Sequence, residues 1–474
     1  MIASIEKYLF YLFIFALPFQ TRIILKSWGV GFNEWSSAFL YGTDLLLILL
    51  FILWIIRKGF PRSNLVDTRS DLVSYKIGSC TQFLFFIFLV IAALSITQAG
   101  NKILSFYSWL KILELAGLYF YVRSSLGKVF TLNGAFLAVI ISGFFQSLIA
   151  IGQSLLQHSL GLKWLGESIL RNNFSGVAVV ATEGEKFLRA YGATPHPNIL
   201  AAWLFLAIFA FYFLFLYRAQ KSGDTTIQGR SGYSFGELAD PKLCTPKAPR
   251  NIFALMIYSV LLWGLFSTFS RVAIGLWIAG IVVRLLIIWL KKKKYNLGLA
   301  FKNRLRLLLG ITPVVVIVFG FFYWPQVQSR IFISSQEQAV SQRILYNKLA
   351  SQMITDKPLL GIGLGQFVRV TQVKFKNYPD FFYQPVHNMY LLIANEIGLL
   401  GVAAFLGWLA ALIWAYIRNN KFKEFYHISF FIVFLSILAM GLFDHFLWTL
   451  QQGQLIFWLT VGLISASGKT LEVV

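Results

Sequence analysis

"YQPVHNMYLLIANEIGLLGVAAFLGWLAALIWA", residues 383–415, is apolar from Met389 to Ala415 except at Asn395 and Glu396. The run exceeds the roughly 20 residues that cross a bilayer, and it is apolar on every side, unlike a surface helix of a soluble domain. It therefore predicts a membrane span with His387 at its mouth and a carboxyl group, Glu396, inside it. An ionisable group is costly in hydrocarbon, so Glu396 is expected to face the bundle interior as part of a site or as a structural tie.

The remainder of the chain extends this reading. Of 474 residues 57% are hydrophobic and 17% aromatic, and only 13% are charged, against about 25% in soluble domains. Apolar windows give twelve candidate spans, at about 8–24, 38–56, 81–98, 103–122, 130–156, 199–217, 252–269, 272–290, 307–323, 389–415, 427–443 and 447–466. The predicted fold class is an all-α polytopic membrane protein of about 12 transmembrane helices, a single transmembrane domain over residues 1–474. Tyr8 to Leu17 follows Lys7 as in a signal peptide, but it leads into "PFQTRIIL" without the small residues of a cleavage site. It reads as a retained helix. The net charge of +23 does not point to nucleic acid, because no soluble module is long enough to present a basic face. Cys80 and Cys244 are isolated and imply neither a disulfide framework nor a metal cluster.

Lysine and arginine between spans encode orientation. With a cytoplasmic N-terminus, the loops 57–80, 123–129, 218–251, 284–306 and 416–426 and both termini carry most of the 42 basic residues, including the run Lys291 to Lys294. Both termini are therefore expected in the cytoplasm. On the opposite face, 157–198 and 324–388 (the latter between spans nine and ten) are far longer than turns and hold most of the basic residues left there. Surplus positive charge on that face opposes the topology signal, and a polyanionic substrate accounts for it. Within the second, 336–357 sets Val340, Ile344, Leu345, Leu349 and Met353 at helical spacing, predicting an amphipathic helix at or near the membrane surface. Pro358 and the glycines of "GIGLGQF" end it, and that stretch reads as a turn rather than a phosphate loop. Residues 218–251, rich in Gly, Ser, Thr and Pro, read as a flexible cytoplasmic connection.

Arg189 in "FLRAYGATPHPN", Arg271 in "STFSRVAIG" and Arg343 on the amphipathic helix all fall on the outer face of this topology. A guanidinium suits bidentate contact with phosphate oxygens, so together they could hold a diphosphate. Each could instead snorkel to headgroups or pair with Glu183, Glu185 or Glu337. His387 can accept a proton from a hydroxyl as a general base, or simply cap a helix entry. His196, between Pro195 and Pro197, is a second candidate and His445 beside Asp444 a third; His427 is expected on the cytoplasmic side. Nine helical residues separate His387 from Glu396, which sets them about 180° apart and about 13 Å different in depth, so they form no direct dyad. Glu396 is expected to bond to a neighbouring span, near Lys111 and Glu114. Tyr378, Phe381, Phe382, Tyr383 and Tyr390 surround His387 either as an interfacial belt or as a sugar-stacking surface. His196, Asn388, Tyr383 and Glu396 are candidates for substrate contact or for structure. The outer carboxylates, such as Asp356 and Asp380, are mostly isolated and give no paired ligands for a hard cation.

"RAYGATPHPN", "STFSR", an arginine in a helix leading to "DKPLLGIGLGQF", and "PVHNMYLLIANEIGLLG", in that order over roughly residues 185–402, resemble the O-antigen ligase and O-antigen polymerase superfamily. The resemblance implies a GT-C-like helical fold. It also implies inverting, metal-independent transfer of a saccharide from an undecaprenyl-diphosphate carrier to a hydroxyl of a glycan or lipid A core acceptor, with no cofactor, on the outer face of the bacterial inner membrane. By position His387 matches the family's proposed base, and Arg189 and Arg271 its diphosphate-binding arginines. Arg343 lies where the family often has an arginine after a glutamate, whereas here Gln342 precedes it. Protein O-oligosaccharyl transfer is another reading within this chemistry. A transporter or flippase for a lipid-linked saccharide is the rival from another class, and it predicts inverted repeats and charges along a path, neither of which the sequence displays.

Overall fold

The computed structural model describes residues 2–28, 32–59, 71–182, 184–224, 248–290, 297–332, 338–375, 378–379, 382–420 and 425–470. Most of the 218–251 connection, together with Lys291–Lys294, Glu183, Glu337, Asp380 and Phe381, lies outside them. The helices are α1 Ile2–Ala16, α2 Gly42–Gly59, α3 Asp71–Ser95, α4 Lys102–Ser125, α5 Leu132–Leu156, α6 Pro197–Asp224, α7 Ala248–Ser267 and α8 Arg271–Leu290. They continue with α9 Leu299–Phe322, α10 Trp324–Ile331, α11 Gln338–Asp356, α12 Phe367–Lys374, α13 Met389–Asn420, α14 Phe425–Met440, α15 Phe446–Thr449 and α16 Gln451–Thr470. Among the described residues seven are long and apolar enough to cross a membrane, in α3, α4, α5, α6, α8, α9 and α13. The chain is a helical, multi-pass membrane protein.

The elements depart from the predicted spans at both ends of the chain. The expected 8–24 helix stops at Ala16, because Pro18 lacks an amide donor and disfavours helical geometry at Leu17. The chain then forms β1, Arg22–Ser27, antiparallel to β2, Ser37–Tyr41, so α2 begins at Gly42 instead of 38. A second hairpin, β3 Val179–Thr182 with β4 Glu185–Leu188, lies in the first long loop. The fold is thus helical with two small β-hairpins rather than purely α. Near the C-terminus the chain leaves helix after Met440, and Asp444 and His445 sit in that break before α15.

α6 is central: Ile199 to Ile208 is almost wholly buried, with α5, α7 and α9 packed round it. Outward-facing Ile317, Phe321 and Phe83 leave an apolar exterior suited to lipid. Several charges inside the bundle are paired. Lys111 Nζ lies 2.5 Å from Asp44 and 3.0 Å from Glu114, and Gln451 Nε2 donates to Asp44 at 2.6 Å. Arg57 meets Glu6 at 2.7 Å. Such pairing is what hydrocarbon demands.

α13 is kinked at Gly398, where φ is +77°. The carbonyls freed there are taken by the glycine-rich turn: Ile362 N donates to Asn395 O at 2.8 Å and Gly363 N to Glu396 O at 3.0 Å, while Leu399 N donates to Pro358 O at 2.7 Å. The expected amphipathic helix exists as α11. Its buried face is Tyr346, Leu349, Ala350 and Met353, docked on α13, and Ile344 points outward.

Candidate active site

The N-terminal ends of α4, α6, α8, α13 and α16 meet at one end of the bundle, and the sequence-predicted groups can be placed there one loop at a time. Residues 189–198 hang from polar side chains of α5. Gln153 Oε1 accepts from the amides of Tyr191 at 2.9 Å and Gly192 at 2.8 Å, and Gln146 Oε1 accepts from Ala193 at 2.8 Å. Gly192, at φ +60°, has no room for a side chain against Gln146. Pro197 then opens α6, a position that suits proline. Arg189 emerges from this loop with Nε donating to Thr268 O at 2.8 Å and Nη2 to Asn198 Oδ1 at 2.6 Å.

Arg271 is the first residue of α8. The reversal from α7 is tight enough that buried Phe269 takes φ +47°, in the left-handed region a β-carbon disfavours. Arg271 Nε donates to Arg330 O at 2.9 Å, and Nη2 donates to Ser329 O at 3.3 Å. These contacts tie the tip to the end of α10.

Asp444 links the loops. Its Oδ2 accepts from Asn198 Nδ2 at 2.6 Å and its Oδ1 from the His445 amide at 2.7 Å. His445 Nδ1 shares a hydrogen bond with Thr449 Oγ1 at 2.8 Å. Met389 N donates to Gly441 O at 2.7 Å, joining the start of α13 to the end of α14. His387 is thereby brought against His445, ring centroids 5.2 Å apart and edge to face, with Tyr346 stacked 6.2 Å away on α11. His387 Nδ1 is buried without a hydrogen-bond partner, and a backbone hydrogen bond with Pro385 favours the protonated ring.

Burial and charge act together here. Burial lowers Arg189 to about 9, and the guanidinium of Arg330 pushes the same way. Burial also lowers His445 to about 3 and His196 to about 4, with Asp444 opposing in each case. His387 falls below its ordinary 6.5 through burial, again opposed by Asp444 and aided by Arg343. For Asp444 burial acts upward, but the rings of His445, His387 and His196 and the Asn198 amide outweigh it and hold the carboxyl below its usual range. The result is a carboxylate among neutral imidazoles, bordered by arginines.

Arg189, His196, His387, His445 and Asp444 are thus brought together, with Arg271 within electrostatic range of Arg189. Arg343, exposed on α11, is within range of all three imidazoles. Other expected residues are engaged elsewhere. Asn388 Oδ1 accepts from Leu391 N at 3.0 Å and so caps α13. The Tyr383 hydroxyl closes its own loop, donating to Phe375 O at 2.7 Å and accepting from Tyr378 N at 3.2 Å. Glu396 does bond to a neighbouring element, but the donor is Trp448 Nε1 at 3.0 Å, while Lys111 and Glu114 pair with each other. Sequence reasoning missed Asn198, Arg330, Trp35 and Tyr346. Asn198 alone carried a signal, two residues after His196 at the helix start. Among the described residues no group of three or more His, Cys, Asp or Glu is arranged to hold a metal ion.

Residues 254–406 match the O-antigen ligase family, a segment of about a third of the chain that includes Arg271, Arg343, His387 and Glu396. Among solved structures, a chain from one described as "Structural coordination of polymerization and crosslinking by a peptidoglycan synthase complex" is similar at 14% identity, over 82% of this chain and 97% of that chain. Its TM-score is 0.31, too low to carry an argument. No curated protein matches the sequence. The chain is thus similar to the O-antigen ligase family over residues 254–406.

Proposed function

We propose that this protein transfers a saccharide from an undecaprenyl-diphosphate carrier to a hydroxyl of a glycan or lipid A core acceptor. It would act as a polysaccharide polymerase or ligase, with inversion and without a metal ion, at the extracytoplasmic face of the inner membrane. The match of residues 254–406 to the O-antigen ligase family supports glycosyl transfer of the O-antigen ligase or polymerase type. The observation that carries the finer reading is the gathering of Arg189, Asp444 and two further imidazoles, His196 and His445, around His387.

Each step follows from the groups present. Arg189, Arg271 and Arg343 hold the diphosphate and stabilise the charge that develops on it as it leaves. The acceptor oxygen attacks the anomeric carbon from the face opposite the leaving group. Its proton passes to His387 while the carbon–oxygen bond to phosphate breaks, and the electron pair departs with polyprenyl diphosphate. Asp444 stabilises the imidazolium so formed, as its opposition to the lowering of His387 requires.

Purified full-length protein, given a polyprenyl-diphosphate saccharide and candidate acceptors without added metal, should form a new glycoside. His387→Ala should lower turnover by about 10²–10⁴-fold and leave the Kd for undecaprenyl diphosphate within about threefold. Normal turnover in that variant removes His387 as the base. A wild-type protein that forms no glycoside but moves the donor across vesicles is a transporter.

A further inference from the structure

Beside the imidazole cluster lies an open cleft lined by residues of β2, α4, α15 and the glycine-rich turn. Two groups connect it to the cluster. Trp35 meets the His445 ring at 5.8 Å, edge to face, and Thr449 bonds His445 Nδ1; both line the cleft. His445 thus lies one residue behind the cleft wall, in contact with two residues that form it, while the Asp444 carboxylate next to it accepts from Asn198, which in turn accepts from Arg189.

The walls are unlike the arginine side. Aromatic Trp35 and Tyr107 stand with Lys111 and Glu396. Lys111 is already matched by Asp44 and Glu114, and Glu34 on the same wall is held by Arg22. With Lys111 already matched, the cleft lining lacks the guanidinium groups of the arginine side, and its aromatic faces with convergent polar groups suit a neutral polyol. One donor is unused: Trp35 Nε1 is buried without a hydrogen-bond partner, a state that calls for an acceptor oxygen.

Building on the transfer reading above, we infer that this cleft is the subsite for the accepting saccharide. A sugar there stacks between aromatic walls, takes the Trp35 N–H on one oxygen, and presents a hydroxyl past His445 toward His387. Trp35 is a positioning residue in this arrangement, with no part in the proton transfer.

The test uses purified full-length protein in the glycoside assay, with saturating lipid-linked donor and varied glycan released by mild acid from the source cells' envelope. Trp35→Phe removes the indole N–H and keeps an aromatic ring. Ser108→Leu narrows the same cleft from α4. Each should raise the acceptor KM about tenfold, as expected for one hydrogen bond or a partly blocked pocket, with kcat and the Kd for undecaprenyl diphosphate unchanged. Wild-type acceptor KM in both variants overturns the subsite and leaves the transfer function standing. Weakened undecaprenyl diphosphate binding in both makes the cleft a donor site and overturns the assignment. If wild-type protein forms no glycoside, the transfer reading falls and the subsite falls with it.

Discussion

Asp444 uses both carboxylate oxygens, one for the Asn198 amide and one for the His445 backbone, and so joins the start of α6 to the break after α14. Its charge also favours the protonated form of His387, which burial disfavours. The sign of the pH dependence follows. His387 is neutral, and competent as a base, down to a pH below its ordinary 6.5, so the transfer rate should stay level through neutrality and fall only below about 6.5. A rate already falling above that value contradicts the assignment. Asp444→Asn removes the group that raises the imidazole, so the acid limb should move lower still, with slower turnover. A purely structural aspartate would slow turnover without moving the limb. None of this coupling was legible at residue level, since Asp444 and His445 are neighbours in sequence but their partners lie some 60 and 250 residues away. A local pattern marked them as candidates and could not say what they met.

At the scale of elements, the kink in α13 and the glycine-rich turn form one unit. A β-carbon at Gly398 would sit 2.0 Å from Leu359 O, and its backbone conformation alone costs a non-glycine residue about 1–3 kcal/mol. Gly398→Ala should lower the apparent Tm of the purified protein by several degrees and reduce transfer, because Asn395 and Glu396, two turns below the mouth of α13, are held by the same turn. Gly407→Ala, on the same helix with only Leu84 Cδ2 nearby at 4.0 Å, should leave both unchanged; thermal melts of the two variants decide the matter. The turn itself was readable from "GIGLGQF", because glycine and the preceding proline punctuate helices locally. Its docking onto the carbonyls of Asn395 and Glu396 was not readable, since no periodicity encodes a long-range ladder. The two hairpins escaped for a related reason. Arg22–Ser27 carries Ile23, Ile24 and Leu25 soon after an apolar helix, so only Pro18 hinted that the chain had left it.

For the whole molecule, hydropathy carried most of what sequence could say, because hydrocarbon penalises polar backbone and unpaired charge so strongly that spans must announce themselves. The same bias blurred the count where apolar segments are short or broken, as near Met440 and Ala16. The surplus of basic residues in the two long loops was a second global signal, and Arg189 and Arg271 lie within electrostatic range of each other at one end of the bundle. The central claim is that this convergence recognises a diphosphate. Its most direct measurement is the Kd for undecaprenyl diphosphate in purified wild-type protein, Arg189→Gln, Arg343→Gln and the control Arg418→Gln, which lies at the far end of α13. The account predicts binding weakened about tenfold or more in the first two variants, as loss of a charge-assisted hydrogen bond implies, and unchanged in the control. Equal affinity in all four proteins would contradict it.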